Sequence, residues 1–326
     1  MSPRVSIIIP SYNHARWIHQ AIDSVFAQTS ADWELLIVDD GSSDGSRDTI
    51  RQHPRIDDPR VRLFLNEDNA GQARRLNQAV AESRGEFVSL LASDDWYLPT
   101  KVASQLAAFD RLAADYGVVY GNGYRFYEDT GRTVSFRPTS PVNGDILPAL
   151  FFDSGIIYPI TPLVRRECFV QFPFWEEFRT EGEAVYWRIG MRWKFYYLDE
   201  HSVVMRAHTY NSGSDIYRLH KDVPAILRRV FDHPSLPPHL HPYRQAVLSQ
   251  YLRKFAWNAM RQHSDAALWR HCLGEAFAES PSRVATDPRT WLGAAFAVIP
   301  ATTRTAINAQ LTHLRLRLLP LLRRPG

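Results

Sequence analysis

Within the first hundred residues, short apolar runs alternate with amphipathic stretches, and no other feature limits the fold so sharply. VSIII (5–9), ELLIVDD (34–40), VRLFLN (61–66) and EFVSLLAS (86–93) read as strands. Between them, ARWIHQAIDSVFAQ (15–28) puts Ile18, Ile22, Val25 and Phe26 on one helical face. GSSDGSRDTIRQ (41–52) is a capped turn opening a helix, and QARRLNQAVAESRG (72–85) turns Leu76, Ala79 and Val80 inward and ends at Gly85. Strands joined through helices of this length pair in parallel, which predicts an α/β fold: a Rossmann-like, mostly parallel open sheet covered on both faces.

Such sheets bind ligands beyond the carboxyl ends of their strands. The polar residues gather there: Ser11 and Tyr12 after the first strand, Asp39 and Asp40 after the second, Asp94 and Asp95 after the fourth. VDDGSSDGS (38–46) lacks the Gly-Lys-Ser/Thr of a phosphate loop and the spacing of a dinucleotide fingerprint. Its carboxylates suit a nucleobase imide or a ribose hydroxyl, against the plainer reading of a solvated turn. Asp94 and Asp95 suit a hard divalent cation, Mn²⁺ or Mg²⁺, which takes one or two carboxylates together with substrate phosphate oxygens. A helix cap would account for one of these aspartates and leave the other without a role.

Beyond residue 118 the chain turns to shorter aromatic pieces that read as a hairpin. Residues 180–193 look helical, 194–208 read as strand, turn, strand, and 243–280 as amphipathic helix. The expected division is therefore 1–218 as an α/β domain (4–110 its ligand-binding half, 111–218 its second half), 219–242 as a Pro/His-rich linker, and 243–326 as a helical region with a basic tail.

The net charge of +3 conceals an asymmetry, because six arginines and no acidic residue follow Pro288, so the remainder carries −3. A mildly acidic body argues against nucleic-acid binding. Cys168 and Cys272 form no disulfide framework or metal-spaced pair, and no apolar run is long enough for a leader or a membrane span. A cytoplasmic location is expected. The tail TAINAQLTHLRLRLLPLLRR (305–324) places Ile307, Leu311, Leu314 and Leu318 on one face among arginines, as a helix on an anionic membrane surface would, or one packed on its own domain or a dimer partner.

VSIIIPSYNHARWIHQAIDSVFAQT, WELLIVDDGSSDGS and NAGQARRLNQAVAESRGEFVSLLASDDWYLP, in that order and spacing, closely resemble glycosyltransferase family 2, inverting enzymes of the GT-A fold that use nucleotide sugars. The resemblance is strong over roughly 4–110 and weak over 110–215. It implies Pro10 and Tyr12 along the nucleobase and ribose, Asp39 on a uracil-type imide and Asp40 against the nucleoside. Arg74 or Arg75 with Asn77 would support base or diphosphate, Asp94 would hold the metal with Asp95 beside it, and His208 would meet metal or diphosphate. The donor implied is a UDP-sugar and the acceptor a glycan or lipid-linked hydroxyl, at the inner face of the cell membrane.

The chain departs from the family pattern twice. Ala92 stands where the first aspartate of Asp-x-Asp is usual, and Gly182 stands where the base is usual in EGEAVYWRI, which leaves Glu181 or Glu183 to serve as base, with Glu181 the preferred of the two. A non-catalytic nucleotide-sugar-binding paralogue would share the remaining features. A nucleotidyltransferase would carry a glycine-rich, lysine-bearing loop after the first strand, and PSYNHARW is no such loop.

Overall fold

The computed structural model describes residues 3–178, 181–208, 216–263, 265–300 and 303. They form two compact units, Met1–Gly213 with Pro234–Leu236, and Ser214–His233 with Pro237–Gly326. Among the described residues the first unit carries nine strands: β1 (Val5–Ser11), β2 (Trp33–Asp40), β3 (Val61–Asn66), β4 (Phe87–Leu90), β5 (Trp96–Tyr97), β6 (Tyr116–Tyr127), β7 (Arg132–Phe136), β8 (Leu163–Arg165) and β9 (Lys194–Ala207). They join one sheet in the order β3-β2-β1-β4-β8-β6-β9-β5, with β7 paired to β6.

The four strands expected from the sequence pair in parallel, β1 lying between β2 and β4. Ile7 and Ile9 of β1 and Leu35 and Ile37 of β2 are fully buried in one core with Ile18, Ile22 and Val25 of the helix Ile18–Phe26. Each such side chain is worth about 1.5–3 kcal/mol when removed from water. Because β2 and β4 flank β1 on opposite sides, the chain reverses direction across the sheet there, and a crevice opens at the ends of β1 and β4. The second half adds strands of both senses, β8 antiparallel to β4 and β6, and β9 parallel to β6. Residues 194–207 form one long strand rather than two. Register shifts near Gly121 and Asn122 absorb the irregularity that reads as a turn, so β9 reaches on to pair with β5.

In the second unit, helix Ile216–Phe231 occupies much of the expected linker. Pro224 removes one helical hydrogen bond, but burial of Ile226, Leu227, Val230 and Phe231 outweighs that loss. Helices Arg244–His263, Ala266–Glu279 and Pro281–Thr286 follow, joined by a buried contact of Leu252, Ala276 and Val284, and then helix Pro288–Ala297. No helix among the described residues is long and apolar enough to cross a membrane. The basic stretch 305–324 lies outside the described residues.

A buried lysine with no carboxylate among its hydrogen-bond partners sits in the first unit's core. Lys101 is fully buried, donating to Ser89 Oγ at 2.9 Å and Gln105 Oε1 at 2.7 Å, and burial alone pulls its pKa from 10.5 to about 7. Below pH 7 both folded and unfolded chains carry this proton, and the folded one bears the cost of the buried charge. Between about 7 and 10.5 only the unfolded chain keeps the proton, so stability should rise with pH, by at most roughly 5 kcal/mol across the window. Urea midpoints measured from pH 7 to 10 should climb in the wild type and climb less in Lys101→Met; parallel slopes would refute this account.

Candidate functional site

The loop after β1 is held in one shape by the loop after β2. Asn13 takes a positive φ of 56°, a region its short amide tolerates. Its Oδ1 accepts from Ser43 N at 2.9 Å and its own N–H donates to Ser42 Oγ at 2.9 Å. His14 N–H donates to Ser46 Oγ at 2.9 Å, and Ala15 N–H to Asp44 Oδ2 at 3.0 Å. The serines and aspartates of VDDGSSDGS thus aim His14 over the ends of β1 and β4.

Asp94 and Asp95 lie between β4 and β5, both buried. They differ in use. Asp95 Oδ1 accepts from Arg206 N at 2.7 Å, tying this turn to β9; burial, with Asp94 beside it, pushes its carboxyl well above the ordinary range. Asp94 Oδ2 lies 2.9 Å from His208 Nε2, the residue just past β9. The ligand atoms of His14, Asp94 and His208 all fall within 4.8 Å of one another.

This trio fits a divalent cation. Donors about 2.1 Å from an octahedral ion stand about 3 Å apart when adjacent, close to the spacing of Asp94 and His208. His14 Nδ1 lies 2.7 Å from Ser93 Oγ, so the hydroxyl can take its proton and leave Nε2 as the free donor, the usual support for a metal-binding imidazole. Burial lowers the pKa of His14, against the pull of Asp94, and favours the neutral ring that metals require. Imidazole and carboxylate together suit Mn²⁺ better than Mg²⁺.

A second group, His19, Asp23 and His53, has similar spacing. There the His53 Nδ1 accepts from Arg55 N at 3.2 Å, which leaves Nε2 protonated and donating to Asp23 Oδ1 at 3.2 Å. That tautomer has no lone pair toward the group.

The other sequence candidates are spread between crevice and scaffold. Pro10 is partly exposed, Tyr12 is 46% exposed beside the crevice, and Ser11 Oγ is buried with no hydrogen-bond partner among the described residues. Asp39 is fully buried, its oxygens accepting from Ser42 N at 2.9 Å and Ser42 Oγ at 2.5 Å. Asp40 and Arg75, expected against the ligand, instead pair with each other at 2.7 Å. Asp40 also accepts from Ala70 N and Gly71 N, and Arg75 reaches Asp68. This pair holds the 68–71 turn against Gly41, whose φ of +71° and approach to the Asp68 backbone leave no room for a Cβ. Arg74 is exposed on the same helix. Asn77, also expected at the ligand, turns to the second half: its amide bonds Phe174 O, Phe174 N and Glu176 Oε1, each at 2.9 Å.

Glu181 is buried with both oxygens engaged, Oε1 by the Arg188 guanidinium and Oε2 by Trp175 N–H. Arg188 lies over the Trp175 ring at 4.0 Å and donates to Pro173 O at 2.6 Å. Burial raises the Glu181 pKa, and Arg188 opposes it. Gly182 has a φ of +35°, so an aspartate at this position would be strained. Glu183 sits in the short 3₁₀ turn Gly182–Ala184; its side chain lies outside the described residues.

Two residues of the site were not singled out from sequence, His14 and Trp17. The Trp17 indole stacks on His208, with centroids 4.1 Å apart and planes 26° from parallel. Both occur in HARW directly after a strand end, where a histidine among crevice-facing residues is the one available signal.

The sequence profile described as "Glycosyl transferase family 2" matches residues 6–169. Among curated proteins, the chain is 40% identical over 104 residues to the putative teichuronic acid biosynthesis glycosyltransferase TuaG of Bacillus subtilis, covering 32% of this chain and 41% of that protein. It is 39% identical over 118 residues to the Escherichia coli UDP-Glc:alpha-D-GlcNAc-diphosphoundecaprenol beta-1,3-glucosyltransferase WfgD, covering 36% and 45%. The chain thus spans less than half the length of these curated relatives. Among solved structures, Staphylococcus aureus TarS 1–349 in complex with UDP-GlcNAc superposes with a TM-score of 0.66 at 17% identity, over 96% of this chain and 91% of that one, a likeness of fold.

Proposed function

Because this chain belongs to glycosyltransferase family 2, we propose that it transfers a sugar, with inversion, from a UDP-sugar to a hydroxyl of a glycan or lipid-linked acceptor in surface polysaccharide synthesis. The observation that carries the reading is the convergence of His14, Asp94 and His208 where β1, β4 and β9 end. The fold supports it, as do the UDP-GlcNAc complex of TarS and the lipid-linked acceptor named for WfgD.

His14, Asp94 and His208 would hold Mn²⁺ or Mg²⁺, which when bound offsets charge on the departing diphosphate. Asp39, Pro10 and Tyr12 would take the nucleoside, and Asp40 with Arg75 keeps the 68–71 turn in place. Asp95 secures the Asp94 turn to β9 rather than offering a ligand atom. The base falls to Glu183, since the oxygens of Glu181 are taken by Arg188 and Trp175. A carboxylate there removes the proton from the acceptor hydroxyl as it attacks the anomeric carbon from the side opposite the leaving group. A single displacement turns an α-linked donor into a β-linked product.

Thermal unfolding with a panel of nucleotide sugars tests the donor assignment. A UDP-sugar should raise the melting temperature, and more so with Mn²⁺ present; no shift with any nucleotide sugar would overturn the reading. The non-catalytic alternative is favoured by Gly182 alone, and it predicts the same shift with no release of UDP in the presence of any acceptor.

The basic tail, on sequence grounds, would bring the protein to the inner face of the cell membrane. Four arginines could supply roughly 4 kcal/mol on an anionic surface. Flotation with anionic vesicles at low salt should carry the protein and weaken as salt is added. Protein left in the soluble fraction at low salt would rule this out.

A further inference from the structure

Glu128 follows directly after β6 and belongs to none of the motifs discussed above. Its side chain is 20% exposed, and its backbone N–H bonds Ala207 O at 3.1 Å, one residue before His208. Three groups converge on one of its oxygens: Trp17 Nε1 at 3.0 Å, Arg206 Nη1 at 3.4 Å and Arg16 Nη2 at 3.3 Å. The Trp17 hydrogen bond, with the two arginines, holds the Glu128 carboxyl below its ordinary range.

Two of these contacts lead to the proposed metal ligands by separate routes. Trp17, 8% exposed, lies flat against His208 and sets the plane of its ring. Arg206 donates from Nε to Asp94 O at 2.9 Å and from its backbone to Asp95 Oδ1 at 2.7 Å, fixing the turn that presents the Asp94 carboxylate. We propose that Glu128 is a positioning residue of the cation site, orienting His208 through Trp17 and Asp94 through Arg206.

The charge arrangement points the same way. Arg206 and a divalent cation would both crowd Asp94, and a carboxylate on Arg206 lessens their repulsion. Losing Glu128 would remove this acceptor from the buried indole N–H and one facing carboxylate from the Arg206 guanidinium. A metal-binding imidazole or carboxylate whose supporting partner is removed commonly loses 10- to 100-fold in metal affinity.

This inference rests on the cation site proposed above, and the test separates the two. Mn²⁺ binding is measured by electron paramagnetic resonance with UDP present, in wild type, Asp94→Ala, Glu128→Ala and Glu128→Gln. Glu128→Ala should bind Mn²⁺ about 10-fold or more weakly, with metal-free UDP affinity unchanged. Glu128→Gln keeps an oxygen for the Trp17 N–H but loses the charge facing Arg206, so it should fall in between, and it reads the effect should the alanine variant not fold. Mn²⁺ binding lost in Asp94→Ala but within twofold of wild type in both Glu128 variants overturns this proposal alone, even with a lowered melting temperature. Mn²⁺ binding that survives Asp94→Ala overturns the cation site and this proposal with it.

Discussion

Asp94→Ala is expected to abolish metal-dependent binding of the nucleotide sugar and to lower turnover about 10³-fold, the largest effect at any single position. Asp94 is the one carboxylate in the trio with His14 and His208, and its Oδ2 faces the His208 imidazole at 2.9 Å. Without it the cation would rest on two neutral rings, and charge on the departing diphosphate would go uncompensated. A cation is worth several kcal/mol to such a transition state, and each 1.36 kcal/mol is a factor of ten in rate. Titration calorimetry with UDP, with and without Mn²⁺, measures the first part and a UDP-release assay the second. Binding that remains metal-dependent in Asp94→Ala would place the ion elsewhere.

The second large effect separates two glutamates, of which the sequence favours Glu181 as the base and the structure turns the proposal to Glu183. Glu183→Gln should lower kcat by about 10² or more, the usual worth of a general base, while donor affinity holds. Glu181→Gln should act on stability instead. Neutralising one partner of a buried ion pair leaves the other charge uncompensated, at a cost of about 3–5 kcal/mol, and Arg188 would be that charge. The melting temperature of Glu181→Gln should therefore fall well below that of Glu183→Gln. A Glu181→Gln variant that melts normally and has lost turnover, beside an active Glu183→Gln, would exchange the two roles. Normal turnover in both would end the one-base mechanism.

The four parallel strands, their helices and the crevice at their ends are legible in the sequence. Hydrophobic period is a local property, and Val5–Ile9 or Trp33–Asp40 could be buried in little other than a covered parallel sheet. The placement of Asp94 at the end of β4 follows from the same pattern, as does the suggestion of a cation from two adjacent carboxylates at a core edge. Residues 219–231 mislead because they lead into the prolines and histidines of 233–242 and share their linker reading, whereas the helix is decided by what its apolar face buries.

The sequence by itself determined the four parallel strands, the helices between them, and the end of the sheet at which polar groups collect, because each of these is written in spacings of two to four residues. Only the tertiary structure decided which polar groups serve the crevice and which serve each other. Asp39 and Asp40 are adjacent and equally acidic, yet one closes on Ser42 and the other on Arg75, 35 residues further along the chain. Asp94 and Asp95 likewise part, one toward His208 and the other onto the backbone of β9. His14, Asp94, Glu128 and His208 come together only after β1, β4, β6 and β9 have taken their places in one sheet. A side chain's partner is set by distance in space, and local pattern carries no record of distances closed across a hundred residues or more.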